Sequence, residues 1–243
     1  MKRILFGLSV LAAFSLPAGA AVTVTTGAGY VPVVKKVVEA CQKTTQQPIR
    51  ESYGGNIGQM LVQVSSGSGV NVVITDKTTL ERMKTPVKFS RMQTLGTTPL
   101  MLIWKKGLVL NSPQELAADE FKRIAHPDAR AAVYGRAGVE WINAQSQSFR
   151  DAVKPKLMQV SGVPQVASYV LSGEVDAGFV NYQAAMKNKE KLGGVLAIQT
   201  GYSPIEMIAA VVEGQEKDSD VAAFLKCLQS PEARKVLDKA GIR

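Results

Sequence analysis

The chain alternates between short apolar runs and segments whose apolar residues recur at helical spacing. Residues 22–26 (VTVTT) alternate like a strand, residues 27–29 (GAG) form a glycine turn, and residues 30–42 carry apolar side chains on one helical face. The same order of strand, turn and helix recurs along most of the chain. Strands that alternate with helices predict a parallel-rich α/β architecture.

The pattern gives a position for each predicted element. We predict strands at residues 22–26, 47–53, 70–75, 100–104, 123–126, 156–160, 177–181, 194–199 and 208–212. We predict helices at residues 30–42, 59–65, 77–83, 132–144, 164–172, 182–190, 219–228 and 231–240, with a short further element at 114–118.

Four strand-to-helix junctions carry small or turn-forming residues where the helix begins, at residues 27–29, 54–58, 128–132 and 161–164. In an open parallel sheet these junctions gather at the carboxyl ends of the strands, where ligands bind. The backbone N–H groups at a helix start attract anions, so four such starts predict an anion cradle built from neutral donors. The alternative for each junction is a tight connection that binds nothing.

The first twenty residues have the pattern of a cleavable export signal. A basic start at Lys2 and Arg3 precedes an apolar run at residues 4–15 that is too short to span a bilayer. Ala18 and Ala20 fit a small-residue cleavage site, so we expect cleavage after Ala20. The mature chain would keep 223 residues, with 27 basic and 20 acidic side chains and a formal charge of +7. This pattern predicts a periplasmic protein.

Composition and motifs narrow the classes of function. Hydrophobic residues make up 46% of the chain and aromatic residues only 6%, which is typical of a Val-, Ile-, Leu- and Ala-rich α/β protein. The lysines and arginines are scattered, which argues against a nucleic-acid partner. His126 is the one histidine, in a His-Pro-Asp turn, and the sequence has no P-loop or HExxH motif. We therefore expect no enzyme activity, no metal site and no cofactor.

The two cysteines, Cys41 and Cys227, lie on predicted helices near opposite ends of the chain. They are too few and too far apart in sequence for a metal-site pattern. In an oxidising compartment, one possibility is a disulfide that ties the terminal segment to the first helix. The other is two buried thiols.

The chain resembles the periplasmic molybdate-binding proteins of ABC importers, a family of two-lobed (type II) solute-binding proteins. The resemblance covers almost the whole mature chain and depends on the order and spacing of five segments. These are VTVTTGAGYVPVVKKVVEAC, LVQVSSGSGVNVVIT, RIAHPDARAAVYGRAGVEWI, VSGVPQVASYVLSGEVDAGFVNYQAAM and IAAVVEGQEKDSDVAAFLKCLQSPEARKVLDKAGI.

The resemblance implies an α/β fold with a ligand cleft between two lobes. Lobe I would comprise residues 21–97 and 200–243, lobe II would comprise residues 98–199, and the hinge crossings would lie near 97–100 and 200–208. The implied function is capture of a small oxyanion, molybdate or tungstate, and its delivery to an ABC permease in the inner membrane. The first helix and the terminal helices would share a lobe, which brings Cys41 within reach of Cys227.

The resemblance also implies a set of ligand residues. The first ligand serine of the family falls on Gly29, the second within Asn56, Ile57 and Gly58, and the family's tyrosine falls on Asn181, followed by Tyr182. The backbone donors fall at Ala132 with Val133, and at Val163.

These positions depart from the family, since glycine and asparagine replace the serine and tyrosine ligands. Backbone donors survive such replacements, and asparagine amides can donate. Two alternatives therefore stay open. The same fold can bind a small organic anion or another solute, because Gly29 enlarges the pocket, or it can serve as a surface or signalling protein without transport.

Overall fold

The computed structural model describes residues 22–243, so the predicted signal peptide and its cleavage site lie outside the described residues. Ten strands lie within these described residues. They are β1 (Val22–Thr26), β2 (Ile49–Glu51), β3 (Val72–Asp76), β4 (Phe89–Thr98), β5 (Leu100–Trp104), β6 (Ile124–Pro127), β7 (Leu157–Val160), β8 (Ala177–Val180), β9 (Gly194–Ile198) and β10 (Ile205–Val212).

Nine α-helices cover the sheets over this part of the chain. They are α1 (Val31–Thr45), α2 (Ile57–Ser65), α3 (Lys77–Arg82), α4 (Val133–Asn143), α5 (Gln147–Val153), α6 (Val163–Ser172), α7 (Tyr182–Asn188), α8 (Ser219–Cys227) and α9 (Pro231–Lys239). Short 3-10 turns occur at Pro113–Ala117, Lys154–Lys156 and Lys189–Lys191. Within residues 22–243, no helix combines the length and apolar character needed to cross a membrane.

The strands form two five-stranded sheets with the same arrangement, β2-β1-β3-β10-β4 and β7-β6-β8-β5-β9. We refer to the elements around the first sheet as the first lobe and to those around the second sheet as the second lobe. The chain passes between the lobes at Pro99, between β4 and β5, and again at residues 199–204, between β9 and β10. The predicted α/β, two-lobed fold is confirmed. The lobe boundaries at 97/98 and 199/200 stay a prediction.

The sheets are mixed rather than parallel-rich. The pairs that β1 and β6 form are parallel, whereas the pairs that β10 and β5 form are antiparallel. β5 and β10 are the strands that follow the two crossings, and each enters its sheet in the opposite direction. Alternation of strands and helices along a sequence cannot reveal such a reversal.

Helix α1 shows why this sequence folds as it does. One face is buried, formed by Val33, Val34, Val37, Val38 and Cys41, and the helix packs against α8 and α9 of the same lobe. There Cys41 bonds Cys227, with the Cα atoms 5.6 Å apart. The predicted disulfide is confirmed, and it fastens the last helices to the first one.

Candidate functional site

A small cavity lies between the lobes, at the carboxyl ends of strands β1, β3, β6 and β7. Its volume is about 30 Å³. The residues that line it are Gly27, Ala28, Gly29, Tyr30, Asn56, Ile57, Thr75, Ala132, Val133, Tyr134, Gly162 and Val163. All four glycine-rich or small-residue junctions that the sequence indicated therefore meet at one point.

Most residues of the expected ligand set line this cavity, namely Gly29, Asn56, Ile57, Ala132, Val133 and Val163. Gly58 is one residue further along α2 and faces Ala131 of the other lobe. Asn181 and Tyr182 line a neighbouring groove instead. Whether any of these residues contacts a ligand stays a prediction.

Three of the helices that begin at the cavity have no side-chain cap. Helices α1, α4 and α6 start after Tyr30, Ala132 and Gly162, and none of these side chains accepts a hydrogen bond from its helix. The first N–H groups of a helix have no partner within the helix. In α1 and α6 the second residue is proline, which has no N–H, and the third N–H donates to the carbonyl of the residue before the helix. The N–H groups that remain available to a bound molecule are therefore that of Val31 in α1, that of Val163 in α6, and those of Val133 and Tyr134 in α4.

Helix α2 differs because Asn56 forms a capping box. The Asn56 side chain accepts a hydrogen bond from the backbone N–H of Gln59, and the Gln59 side chain accepts one from the Asn56 N–H. The next N–H, that of Ile57, donates to the carbonyl of Ala131 at 3.0 Å. This bond joins the lobes along one edge of the cavity.

Asn181 joins the lobes along a second edge. Its side-chain amide donates to the carbonyl of Gly29, while its side-chain oxygen accepts from the N–H of Ala184 and caps α7. Asn181, the position at which the resemblance implied the family's tyrosine, therefore holds the lobes together in this structure.

Two buried tyrosines complete the cavity, and the expected ligand set did not include them. The hydroxyls of Tyr30 and Tyr134 lie 3.5 Å apart across the lobes, and the rings meet edge to face. Burial raises the pKa of both phenols well above the ordinary value of 10. Both hydroxyls therefore stay protonated and remain hydrogen-bond donors at neutral pH. The signal that could have found them is their position, at or just after the start of helices α1 and α4.

A buried ion pair lies beside the cavity and also bridges the lobes. Arg136 of α4 donates to the carboxylate of Asp76 at 3.0 Å and to the hydroxyl of Thr79 at 3.0 Å. The same guanidinium donates to Glu140 and to the carbonyl of Ser203, in the second crossing. Burial raises the pKa of Asp76, and the charge of Arg136 and the bonds from Thr79 oppose this shift.

The residues of the site carry hydrogen-bond donors rather than metal ligands. Within residues 22–243, no group of three or more His, Cys, Asp or Glu side chains is arranged to hold a metal ion. His126 is buried, with Nδ1 2.8 Å from the Pro127 carbonyl, and is not among the residues that line the cavity. The cavity is lined instead by backbone groups, the phenols of Tyr30 and Tyr134, the Asn56 amide and the Thr75 hydroxyl.

Comparison with known proteins agrees with this geometry. The molybdate-binding protein of Azotobacter vinelandii is 26% identical over 230 residues, which cover 91% of this chain and 89% of that protein. The solved structure of an A. vinelandii periplasmic molybdate-binding protein has a TM-score of 0.76, with 22% identity and coverage of 91% and 98%. The structure of PEB3 with bound L-phospholactate has a TM-score of 0.74, with 16% identity and coverage of 91% and 99%.

Residues 22–243 match the family model described as bacterial extracellular solute-binding protein. Membership of this family confirms the expected location outside the cytoplasm, in the periplasm. On the strength of a match that spans all described residues, the chain belongs to the bacterial extracellular solute-binding proteins.

Proposed function

We propose that this protein captures a small tetrahedral oxyanion in the cavity between the lobes and delivers it to the permease of an ABC importer. Molybdate and tungstate are the first candidates. The observation that carries the proposal is that all three of the described α-helices that lack a side-chain cap begin at the cavity.

The other six α-helices described are each capped by a side chain. The capping residues are Asn56, Asp76, Ser146, Asn181, Asp218 and Ser230. A side-chain cap is worth about 1 kcal/mol, so its absence from α1, α4 and α6 costs stability unless another group takes its place. The oxygens of an anion can accept hydrogen bonds from the N–H groups that remain free at these helix starts, and an anion is favoured at the positive end of each helix.

The lining of the cavity fits a fully ionised dianion. Backbone N–H groups of Gly29, Val133 and Val163, together with the hydroxyl of Tyr30, which accepts from the Tyr134 hydroxyl, are the candidate donors from both lobes. None of the described lining residues is acidic. Hydrogen phosphate would need an acceptor for its proton, so this lining favours an anion that carries none.

The size of the cavity favours a compact ion over an organic anion. A water molecule needs roughly 10–15 Å³ of such volume, so about 30 Å³ is room for two to three waters. A tetrahedral oxyanion is close to this size. A ligand such as the phospholactate bound to PEB3 is larger, and it would require the lobes to separate. An organic anion is therefore the second candidate.

We also propose that the protein binds its ligand without chemical change. The cavity lining offers two phenols, the Thr75 hydroxyl, the Asn56 amide and backbone groups, and none of the described lining residues is a histidine, cysteine, aspartate or glutamate that could act as a general base for a hydroxyl nucleophile. Turnover of a phosphate ester or an acyl compound by the purified protein would contradict this proposal.

A thermal-shift panel on unfolded and refolded, ligand-free protein tests the proposed function. Molybdate, tungstate, sulfate, phosphate and phospholactate are compared at matched ionic strength. A ligand at a hundredfold excess over its Kd stabilises the fold by about 2.7 kcal/mol, which corresponds to several degrees in Tm. We expect the largest shift from molybdate or tungstate. A shift with phospholactate alone would contradict the oxyanion proposal.

A further inference from the structure

A larger groove opens directly beside the small cavity between the lobes. Its volume is about 580 Å³, and it is lined by residues of α1 and α9 from the first lobe and of α6 and α7 from the second. Ala28, Gly29 and Val163 line both the groove and the cavity. The two spaces are therefore separated by a wall only one residue thick.

All charged residues that line the groove are positively charged. Lys36, Lys187 and Lys239 line it, all three are exposed, and none of the described lining residues is Asp or Glu. Three acidic residues lie near these lysines in sequence, and none of them lines the groove. Glu39 is paired with Lys43 at 2.8 Å, and Asp238 is paired with Arg234 at 2.9 Å. The third is Glu190. Three ammonium groups without a facing carboxylate produce a positive potential at the mouth of the groove.

The wall between groove and cavity consists of contacts that lobe opening breaks. Asn181 donates to the Gly29 carbonyl across the lobes, and the side chain of Val163 packs near Gly29, where a Cβ would lie 3.7 Å from Val163 Cγ2. When the lobes separate, this hydrogen bond and this packing are lost together. The groove then leads directly into the ligand cavity.

We propose that this lysine-lined groove is the entry vestibule of the site, which gathers oxyanions at the cleft before they pass between Gly29 and Asn181. The inference depends on the proposed function, since it concerns how that ligand arrives. Clefts lined with charge of one sign raise association rates by about 10- to 1,000-fold, and salt screens this effect. None of the three lysines lines the cavity, so they act on association and leave dissociation unchanged.

The test compares two triple variants with the same change in net charge. The groove variant is Lys36→Gln/Lys187→Gln/Lys239→Gln. The control is Lys88→Gln/Lys154→Gln/Lys226→Gln, whose lysines are also exposed but do not line the groove. Association and dissociation rates of tungstate are measured by stopped-flow protein fluorescence. Ionic strengths of about 0.01 M and about 1 M give Debye lengths of roughly 30 Å and 3 Å.

In the groove variant, we expect the association rate at low ionic strength to fall by about tenfold. The dissociation rate should stay unchanged, and at high ionic strength the variant and the wild type should associate equally fast. The control should keep an association rate close to that of the wild type.

If the association rate fell equally in the groove variant and in the control, the vestibule proposal would be overturned, because the effect would then come from net charge alone. A faster dissociation rate in the groove variant would overturn it too, since the lysines would then hold the bound ion. If wild-type protein does not bind tungstate or molybdate at all, the proposed function fails and the vestibule fails with it. Binding with unchanged association rates in the groove variant overturns the vestibule only.

Discussion

Arg136 and Asp76 form a buried ion pair between the two lobes, with 3.0 Å between Nη2 and Oδ2. Their side chains are 5% and 0% exposed. Each partner adjoins the cavity in sequence, because Thr75 precedes Asp76 and Tyr134 lies two residues before Arg136. The pair therefore links the closed arrangement of the lobes to the residues that surround the ligand site.

Removal of one partner of this pair should be costly. In Arg136→Met, the Asp76 carboxylate stays buried without its cation, and breaking a buried pair in this way costs about 3–5 kcal/mol. We expect a loss of this size in the free energy of unfolding, measured by urea denaturation. We also expect weaker oxyanion binding, because the closed form loses a contact between the lobes.

The double variant Asp76→Asn/Arg136→Met is the control. Asparagine keeps a side-chain oxygen that can cap α3 at the N–H of Thr79, but it removes the buried charge. The double variant should therefore be more stable than Arg136→Met alone. A cost below about 1 kcal/mol for the single variant would show that the pair contributes no more than an exposed one.

The disulfide should contribute strongly to stability. Cys41 and Cys227 are 186 residues apart in sequence, and closing a loop of that length is worth about 5 kcal/mol at most in the chain-entropy model. We expect Cys41→Ala/Cys227→Ala to lower the free energy of unfolding by several kcal/mol while the Kd for the oxyanion stays the same. A loss of oxyanion binding in variant protein that still folds would contradict the expectation that this disulfide, which lies within the first lobe, stabilises the fold without affecting the ligand site.

His126 should make the protein less stable in mild acid. Burial lowers the pKa of its imidazole, although the hydrogen bond to the Pro127 carbonyl opposes this shift. The unfolded chain therefore takes up a proton near pH 6.5, before the folded protein does. The free energy of unfolding should fall as the pH drops below about 6.5, until the folded-state pKa is passed.

The measurement is urea denaturation of wild type and His126→Gln at about pH 7.5 and about pH 5.5, on either side of the imidazole's ordinary pKa. The chain contains no other histidine. We expect the loss of stability between these pH values to be smaller in the variant. Equal losses in both proteins would show that His126 does not cause the pH dependence.

Substitutions at Gly29 test the position of the site. A Cβ at Gly29 would meet Val163 Cγ2 at 3.7 Å and Asn181 Nδ2 at 3.9 Å, which are ordinary contacts. Gly29→Ala should therefore fold and bind. Gly29→Ser adds a hydroxyl donor where the resembled family has a ligand serine. We therefore expect this variant to bind the oxyanion as tightly as the wild type or more tightly, with the Kd measured by calorimetry.

Gly29→Asp places a carboxylate beside the bound dianion, and we expect it to abolish binding through charge repulsion. The alanine variant separates this effect from the effect of added volume. Unchanged affinity in Gly29→Asp would mean that the anion binds elsewhere.

Much of the fold could be predicted because its strands and helices carry regular apolar patterns, as in the buried run Leu100–Trp104. Strand β4 was missed because its buried positions include the polar residues Gln93 and Thr98. Gln93 is satisfied by the carbonyl of Leu225 from a distant helix, a contact that no local pattern reveals. Helix α5 was also missed, because only Phe149 and Val153 of its seven residues are buried, which gives too few apolar positions for a helical pattern.

The candidate site was predictable in outline for a different reason. Small residues at helix starts mark positions where backbone groups can approach a ligand, and Gly29, Ala132 and Val163 lie at the cavity. The roles of Tyr134 and Asn181 depend on contacts across the lobes. Such contacts join residues more than 100 positions apart, so spacing along the sequence cannot predict them.

A crystal structure of the refolded protein with tungstate, located by the anomalous scattering of tungsten, tests the central claim most directly. The account predicts one strong anomalous peak in the cavity between the lobes. Its oxygens should lie within about 3.2 Å of backbone N–H groups at the starts of α1, α4 and α6. A peak confined to the lysine-lined groove, or no peak between the lobes at saturating tungstate, would contradict the claim that the uncapped helices form an oxyanion site.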